Sequence, residues 1–266
     1  MQSGYYTATG GMVTQFNRLD MIANNLANVN TNGFKHQDVV IGDFAKVFQE
    51  YRDELPLRNH TRDAADFVNR SINKVPHIVE EFRSLELGPM MVTGNTFDFA
   101  LARDDLFFMI ETPAGVRLTR DGSFQLNSEG ILTTKDGDPV LPSDYYQNKG
   151  YIKLDSNGNY SADKDGNIYQ SEELVKQLMT VTSHRVKELK NVGDNMFVAN
   201  ENDIIPILDS GSVKHKTLEK SNVNAVREMT ALIEANRLVE MYQRVMNTHQ
   251  DDLNREAITR LSTVKA

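Results

Sequence analysis

The sequence contains no cysteine and no tryptophan, and only 7 of its 266 residues are proline. Without cysteine the chain forms no disulfide and has no thiol nucleophile, and cysteine usage says nothing about its redox compartment. Basic residues are also in the minority, since 29 Lys and Arg stand against 37 Asp and Glu, a net charge of −8. Nucleic-acid recognition needs a basic face that releases counterions, so this balance argues against a nucleic-acid partner.

Long hydrophobic runs are missing as well. No apolar run approaches the ~20 residues that a membrane span requires, so we predict that the protein is not membrane-spanning. The first residues lack a basic segment followed by a continuous apolar core, so we expect no cleaved signal peptide. Hydrophobic residues make up 39% of the chain, which allows one or two domains with a sizeable core.

Motifs for catalysis and metal binding fail when their spacing is checked. Asp155–Asn159 and Asp163–Asn167 are rich in calcium-ligand residue types, but each lacks the Gly and Glu that an EF-hand needs at positions six and twelve. Two hairpin turns fit them better. The histidines are scattered without ligand spacing, Gly10–Gly11 is followed by no phosphate-loop pattern, and Ser123 lacks the nucleophile-elbow motif. We therefore predict no enzymatic activity, no metal and no cofactor.

The N-terminus carries an apolar stripe with steps of three and four residues, which is typical of a coiled-coil seam. Asn32–Gly33 predicts the end of this helix, because Gly accepts the left-handed conformation, and Phe34 would then pack back on Val29. Glycines and asparagines within the helix weaken it, so we expect it to need partners. The stripe consists of Tyr5, Ala8, Met12, Gln15, Leu19, Ile22, Leu26 and Val29.

A second stripe of the same kind occupies the C-terminus. It lies in the Pro- and Gly-free stretch from Thr217 to Ala266, and the N-cap residue types Ser221, Asn222 and Asn224 indicate where the helix begins. Forty residues of helix would reach about 60 Å, so this helix needs a long partner, and the N-terminal helix is the obvious candidate. The stripe consists of Leu232, Ala235, Val239, Tyr242, Met246, His249 and Leu253.

The middle of the chain predicts β structure. Leu106–Ile110 is a short buried-strand run, and turn signals such as Asp121–Gly122 and Asp136–Gly137 recur about every ten residues, as in an antiparallel sandwich or small barrel. Phe44–Tyr51 suggests a short helix, and Arg58–Asn73 an exposed linker. We therefore predict an α+β fold, in which long N- and C-terminal helices pair as a coiled-coil-like stem beside a central all-β domain of short antiparallel strands. The predicted segments are 1–35 (N-terminal assembly helix), 36–83 (short helix and extended linker), 84–210 (central β domain) and 211–266 (C-terminal assembly helix).

Four segments of the sequence resemble those of one protein family. Ala23–Lys35, with the sequence ANNLANVNTNGFK, is similar to the N-terminal signature of the bacterial flagellar axial proteins, which are rod, hook and hook-associated subunits. Asp98–Phe108, Leu118–Phe124 and Leu218–Asn224 resemble three further family segments, in the same order and spacing. The resemblance covers nearly the whole chain and is weakest from Gln37 to Ser84.

The resemblance implies a structural subunit of the flagellar basal-body rod. The length suits the rod subunits with a single β domain, and Tyr5–Met12 and Ser221–Val226 are more like the proximal (FlgF-type) than the distal (FlgG-type) subunit. The distal subunit is the alternative, and a β-domain protein that binds or cleaves peptidoglycan is a distant one.

For such a subunit the family implies polymerisation through the terminal helices into a torque-transmitting drive shaft, which is needed for motility. The implied partners are further copies and other rod subunits in a helical assembly, neighbouring basal-body components, and the flagellar type III export apparatus. The implied location is the periplasmic rod of the bacterial flagellum.

The terminal segments are therefore the predicted assembly interface. Ala23 and Ala27 would allow close helix approach, and the Asn side chains would form hydrogen bonds across subunit contacts. The predicted interface residues are Tyr5, Met12, Leu19, Ile22, Ala23, Asn24, Asn25, Leu26, Ala27, Asn28, Gly33, Phe34, Ser221, Asn222, Val223, Asn224, Leu232, Val239, Tyr242, Met246 and Leu253.

Overall fold

The structure is a computed structural model, and it describes residues 2–43, 76–155, 158–186, 189–193, 195–199, 203–207 and 211–263. The described residues group into two compact units. The first unit draws on the described residues within 1–26, 37–82 and 225–266, and the second on those within 27–36 and 83–224. The helix predicted near Phe44–Tyr51 and the linker predicted at Arg58–Asn73 lie outside the described residues.

Helices stand at both ends of the described chain, and the elements between them are mainly strands. In chain order they are α1 (Gln2–Ala27), β1 (Gln37–Asp43), β2 (Pro76–Arg83), β3 (Met90–Val92), β4 (Phe99–Leu101), β5 (Phe107–Thr112), β6 (Gly115–Thr119), β7 (Gln125–Leu126), β8 (Leu132–Thr133), α2 (Tyr145–Asn148), β9 (Tyr160–Ala162), β10 (Asn167–Gln170), β11 (Glu173–Gln177), β12 (Thr180–Ser183), β13 (Lys190–Gly193), β14 (Met196–Val198), β15 (Ile204–Pro206), β16 (Val213–His215), β17 (Thr217–Glu219) and α3 (Ala225–Thr263). This arrangement confirms the predicted α+β class.

The first unit contains the two long helices and the strand pair β1–β2. The sequence did not predict these two strands. Helix α3 has 39 residues, or about 58 Å at ~1.5 Å per residue, and it begins directly after Asn224, within the predicted region. Among the described residues, no helix combines the length and hydrophobicity that crossing a bilayer would require.

Helices α1 and α3 run antiparallel. Thr9 Oγ1 lies 3.4 Å from Met246 Sδ, and Asn25 Nδ2 lies 3.2 Å from Glu228 Oε2, so residue numbers fall on α3 as they rise on α1. Between these two contacts, a Cβ atom added at Gly11 would lie 2.5 Å from the ring of Tyr242. Gly11 therefore weakens the isolated helix but makes room for an aromatic side chain of α3.

The predicted stripes supply the buried apolar residues of this helix pair. Ala8 and Ile22 of α1, and Ala235 and Val239 of α3, have at most 6% of their surface exposed. Since buried positions recur every three to four residues, each helix has one apolar face turned toward protein.

The predicted helix end at Gly33 is wrong, because α1 ends at Ala27. After it the chain turns, with the Thr31 amide donating to the Asn28 carbonyl at 3.1 Å and the Thr31 hydroxyl bonded to the Asn28 side chain at 3.1 Å. Short polar side chains offer the backbone such alternatives to helix. Gly33 does have the expected positive φ, of 66°, but it serves a different contact described below.

The second unit is built on a six-stranded sheet with the strand order β13-β14-β6-β5-β12-β15. Every pairing in this sheet is antiparallel, which confirms the predicted antiparallel strands. Smaller sheets surround it, namely β11-β10-β9 and the pairs β16-β4, β17-β3 and β7-β8.

Strand β5 explains why Leu106–Ile110 is continuously apolar. Phe108 and Ile110 belong to one hydrophobic cluster, while Phe107 and Met109 belong to a second cluster on the opposite face of the strand. Successive side chains of a strand point to opposite faces, so a strand covered on both sides needs an apolar residue at every position. The prediction of a buried strand here is confirmed.

The calcium-like segment at Asp163–Asn167 is a hairpin turn between β9 and β10. The Asp163 carboxylate accepts hydrogen bonds from the backbone amides of Asp165 and Asn167, from the Asn167 side chain at 2.7 Å and from the Tyr169 hydroxyl at 3.1 Å. Burial raises the pKa of Asp163, but these hydrogen bonds outweigh it and lower the pKa overall. The carboxylate is thus fully used in shaping the turn.

Candidate functional site

Three charged residues from three of the signature segments meet in the interior of the second unit. Lys35 follows Gly33–Phe34, Arg120 follows β6, and Glu219 ends β17, and each is at most 2% exposed. Lys35 Nζ lies 2.7 Å from Glu219 Oε1, and Arg120 reaches Glu219 Oε2 through Nη2 at 2.8 Å and Nε at 3.0 Å. We call these three residues the buried triad.

The remaining donors of the triad are bound to backbone carbonyls. Lys35 Nζ donates to the carbonyls of Leu85 at 3.0 Å and Glu86 at 2.6 Å, which with Glu219 uses all three of its hydrogens. Arg120 donates to the carbonyls of residues 103, 104 and 106 at 2.6–3.0 Å. The triad therefore holds together five segments of the second unit, namely those at residues 35, 85–86, 103–106, 120 and 219.

Two cations share one carboxylate in this triad, and their proximity affects the pKa of the lysine. Burial and the Arg120 guanidinium lower the pKa of Lys35 to about 8, against the opposing attraction of Glu219. Glu219 also accepts the Gly88 amide at 2.8 Å. The Glu219 carboxylate is therefore the counter-charge of both Lys35 and Arg120.

Asparagine side chains bind the same segments to one another. The Asn222 side chain accepts the His36 amide at 2.7 Å and donates to the carbonyls of Ser84 at 2.9 Å and Glu86 at 3.0 Å. Asn32 accepts Lys220 Nζ at 3.0 Å. These contacts join the segment after α1 to the segment before α3 within the second unit.

Glycines permit this close approach. A Cβ atom at Gly33 would lie 2.5 Å from the backbone of Arg120, and one at Gly88 would lie 1.9 Å from the carbonyl oxygen of Lys220. The Gly33 amide donates to the Glu219 carbonyl at 2.8 Å. Gly33 is thus required by backbone packing as well as by its positive φ.

Asn25 has the corresponding role in the first unit. It is 1% exposed, its side-chain oxygen accepts the Gln37 amide at 3.0 Å, and its amide donates to the Gln37 carbonyl at 2.7 Å and to Glu228 Oε2 at 3.2 Å. One side chain therefore connects α1, β1 and α3.

We expect Asn25→Ala to destabilise the first unit by about 2 kcal/mol, because it removes three hydrogen bonds made by a side chain that is 1% exposed. Asn24→Ala is the matched control, since the neighbouring side chain is exposed and its loss should cost about 0.5 kcal/mol or less. Hydrogen exchange of α1 and β1 amides in the two variants measures the difference. Equal exchange in both would contradict the assigned role of Asn25.

The other predicted interface residues are spread between interior and surface. Ile22, Gly33, Phe34, Ser221, Val223 and Val239 are buried, and Met12, Leu19, Leu26, Asn28, Asn222, Leu232, Tyr242 and Met246 are half-buried. The exposed members are Tyr5, Ala23, Asn24, Ala27, Asn224 and Leu253. The exposed group is therefore available to a second molecule without rearrangement.

The buried triad is not among the site residues predicted from the sequence. The available signal was a charged residue inside each of three signature segments, but sequence alone does not show that these three charges meet. Their pairing depends on contacts between positions 35, 120 and 219, which are far apart in the chain.

Comparison with known proteins decides the family. Three family models match the chain: "Flagella basal body rod protein" over residues 6–35, "Flagellar hook protein FlgE/F/G D1 domain" over residues 104–187, and "Flagellar basal body rod FlgEFG protein C-terminal" over residues 214–260. The flagellar basal-body rod protein FlgF of Caulobacter vibrioides is 31% identical over 99% of this chain and 100% of its own length. The chain belongs to the flagellar basal-body rod protein family.

Other family members show the same full-length similarity. The FlgF protein of Rhizobium meliloti is 31% identical over 96% of both chains. The flagellar basal-body rod protein FlgG of Agrobacterium fabrum is 32% identical over 91% of this chain and 93% of its own. The family models cover Lys35 at the end of the first match, Arg120 within the second and Glu219 within the third, so all members of the triad lie in family-defining regions.

Proposed function

We propose that the chain is a structural subunit of the proximal part of the flagellar rod and polymerises through its terminal helices. The family supports this assignment, as do the FlgF proteins of Caulobacter vibrioides and Rhizobium meliloti, which are similar over 99% and 96% of this chain. FlgG relatives match at similar identity, so the distal rod is the second candidate. Nothing in the comparisons supports a protein that binds or cleaves peptidoglycan.

The outer faces of the two helices support assembly. Val13 and Phe16 of α1 are 50% and 43% exposed, and Val226 and Ile233 of α3 are 75% and 54% exposed. Contiguous exposed apolar residues on a helix are typical of protein interaction sites. The helices therefore have a second apolar face beyond the one they bury against each other.

The charge distribution of α1 supports the same proposal. Arg18 and Asp20 are the only charged residues among its 26, and the rest of its surface is apolar or carries neutral polar side chains. A helix face that remains in water normally carries many charges. The composition of α1 therefore fits a face that neighbouring subunits cover, and a regular coiled-coil seam between α1 and α3 is part of this proposal.

The remaining features of the proposal follow from the family. The subunit would leave the cell unfolded through the flagellar type III export apparatus and act in the periplasmic part of the basal body. Its partners would be further copies, other rod subunits and neighbouring basal-body components. Torque would pass through the buried helix contacts made on assembly.

The double variant Val13→Gln/Phe16→Gln tests this function. We expect basal bodies isolated from cells with this variant to lack the subunit and cells to lose motility, while the β-rich unit keeps its stability. The matched control is Leu174→Gln/Val192→Gln. It removes two apolar side chains from strands β11 and β13 that are 59% and 57% exposed, at least as exposed as Val13 and Phe16. Normal rods with the α1 variant would refute assembly through this face.

Electron microscopy of isolated basal bodies carrying a labelled subunit separates the two candidates. A label next to the membrane ring supports the proximal rod, and a label further out supports the distal rod.

A further inference from the structure

A cluster of tyrosines surrounds one carboxylate on the surface of the second unit. Tyr145 Oη donates to Glu111 Oε1 at 2.9 Å, and Tyr151 Oη donates to Glu111 Oε2 at 2.8 Å. Tyr146 packs at the same place, with its ring 5.9 Å from that of Tyr145 and its hydroxyl 3.8 Å from the sulfur of Met109. Met109 lies two residues before Glu111 on β5, so both face the same side of the sheet.

Only one of the three tyrosines packs mainly against the hydrophobic core, and the other two are exposed to solvent. Tyr145 packs against the hydrophobic cluster of Met109 and its neighbours, but Tyr146 is 55% exposed and Tyr151 is 39% exposed. Large aromatic rings with a polar tip are enriched where proteins bind one another. Two of the three rings thus present surface to a partner.

The hydrogen-bond inventory of the cluster indicates what kind of partner fits. Both phenol hydrogens of Tyr145 and Tyr151 are used on Glu111, so these two groups and the carboxylate have only acceptor capacity left. Burial and the bond to Glu111 raise the pKa of Tyr145 to about 12, which keeps its hydrogen in place. A sugar needs both donors and acceptors from its site, whereas ammonium and guanidinium groups only donate.

The charge of the cluster indicates the same partner. In the described part of the chain, the salt bridges of Lys and Arg go to other carboxylates, and none of them involves Glu111. A carboxylate beside aromatic faces attracts a cation both directly and through the ring quadrupoles. An acceptor-only, negatively charged and aromatic surface is complementary to a basic side chain.

We propose that Glu111, Tyr145, Tyr146 and Tyr151 form a docking site for one lysine or arginine side chain of a neighbouring protein. The identification of that neighbour as a basal-body protein rests on the proposed function, but the recognition of a cation does not. The site lies on the β-rich unit and is separate from the helix surfaces assigned to polymerisation.

Titration of the isolated full chain with N-acetyl-arginine amide tests the proposal. We expect saturable shifts of the ring resonances of Tyr146 and Tyr151 in NMR spectra, and none with N-acetyl-citrulline amide, a neutral analogue of nearly the same shape. Glu111→Gln should weaken binding about tenfold, because it removes the charge. Tyr146→Ala should weaken it several-fold through the loss of one ring.

Tyr169→Phe is the matched control. Tyr169 also donates to a carboxylate, that of Asp163, but Asp163 is saturated by three other donors, so this variant should bind the arginine probe like the wild type. An equal response to citrulline, or unchanged affinity in both Glu111→Gln and Tyr146→Ala, would overturn the proposal. If the wild-type chain binds the probe but is absent from rods, the proposed function fails instead.

Discussion

Replacing Glu219 by Gln should lower the free energy of unfolding of the β-rich unit by about 3 kcal/mol or more. The substitution keeps the shape of the side chain but leaves Lys35 and Arg120 buried beside each other without a counter-charge. Because the pKa of Lys35 is already lowered to about 8, the lysine can lose its proton and limit the cost. Arg120 cannot lose its charge in this way, since a guanidinium stays protonated in proteins.

Hydrogen exchange of the full chain measures this effect. We expect faster exchange at residues 33–36 and 85–88, which Glu219 and Lys35 hold together. The control is Asp105→Asn, which breaks the exposed Arg103–Asp105 pair at 2.6 Å and should cost at most about 1 kcal/mol.

The buried triad also predicts a coupling between its members. In the double variant Lys35→Met/Glu219→Gln, the second cation is gone, so the combined cost should be clearly less than the sum of the two single costs. Additive costs, or a Glu219→Gln variant as stable as Asp105→Asn, would show that the triad does not hold these segments together.

Gly122→Ala should destabilise the same unit by about 3 kcal/mol, at the upper end of the cost of overpacking. A Cβ atom at this position would lie 1.8 Å from the carbonyl oxygen of Phe99 and 3.1 Å from the Phe108 ring. The Gly122 carbonyl accepts the Phe99 amide at 2.9 Å, so strand β4 has to lie directly over this residue. Relief of the clash would require breaking that bond or moving the core.

Gly137→Ala is the control for this variant. Gly137 has a φ of 93° but no atom within 4 Å of an added Cβ, so alanine there costs only the backbone strain of about 1–2 kcal/mol. Urea unfolding followed by tyrosine fluorescence, which is usable because the chain has no tryptophan, compares the two. A Gly122→Ala variant more stable than Gly137→Ala would contradict the close packing at β4.

Periodic and contiguous patterns allowed much of the fold to be predicted from sequence. The stripes that begin at Tyr5 and at Leu232 indicated both helices, because each residue on a helix face depends on neighbours only three or four positions away. The run Leu106–Ile110 indicated a strand covered on both faces. These features are local, and local features are what a single sequence shows most directly.

Features that depend on distant contacts were missed. The end of α1 was predicted at Gly33, but the helix ends at Ala27. Gly33 lies where its backbone packs against that of Arg120, and not at the helix end. The hydrogen bonds that Asn25 and Asn222 make within the chain were not predicted, and hydrogen bonds of the asparagines across subunit contacts stay a prediction. The triad could not be predicted, since Arg120 and Lys35 lie 99 and 184 positions from Glu219 in the chain.

The meeting of residues 33–36 with residues 217–222 has a consequence for insertions and deletions in this chain. Hydrogen bonds hold these two segments together, so both ends of the chain that connects them are fixed. Loops and strands can be inserted into or removed from such a connection without moving its ends, as in domain insertion. Arg120 is the internal anchor that any enlarged or shortened version would have to keep.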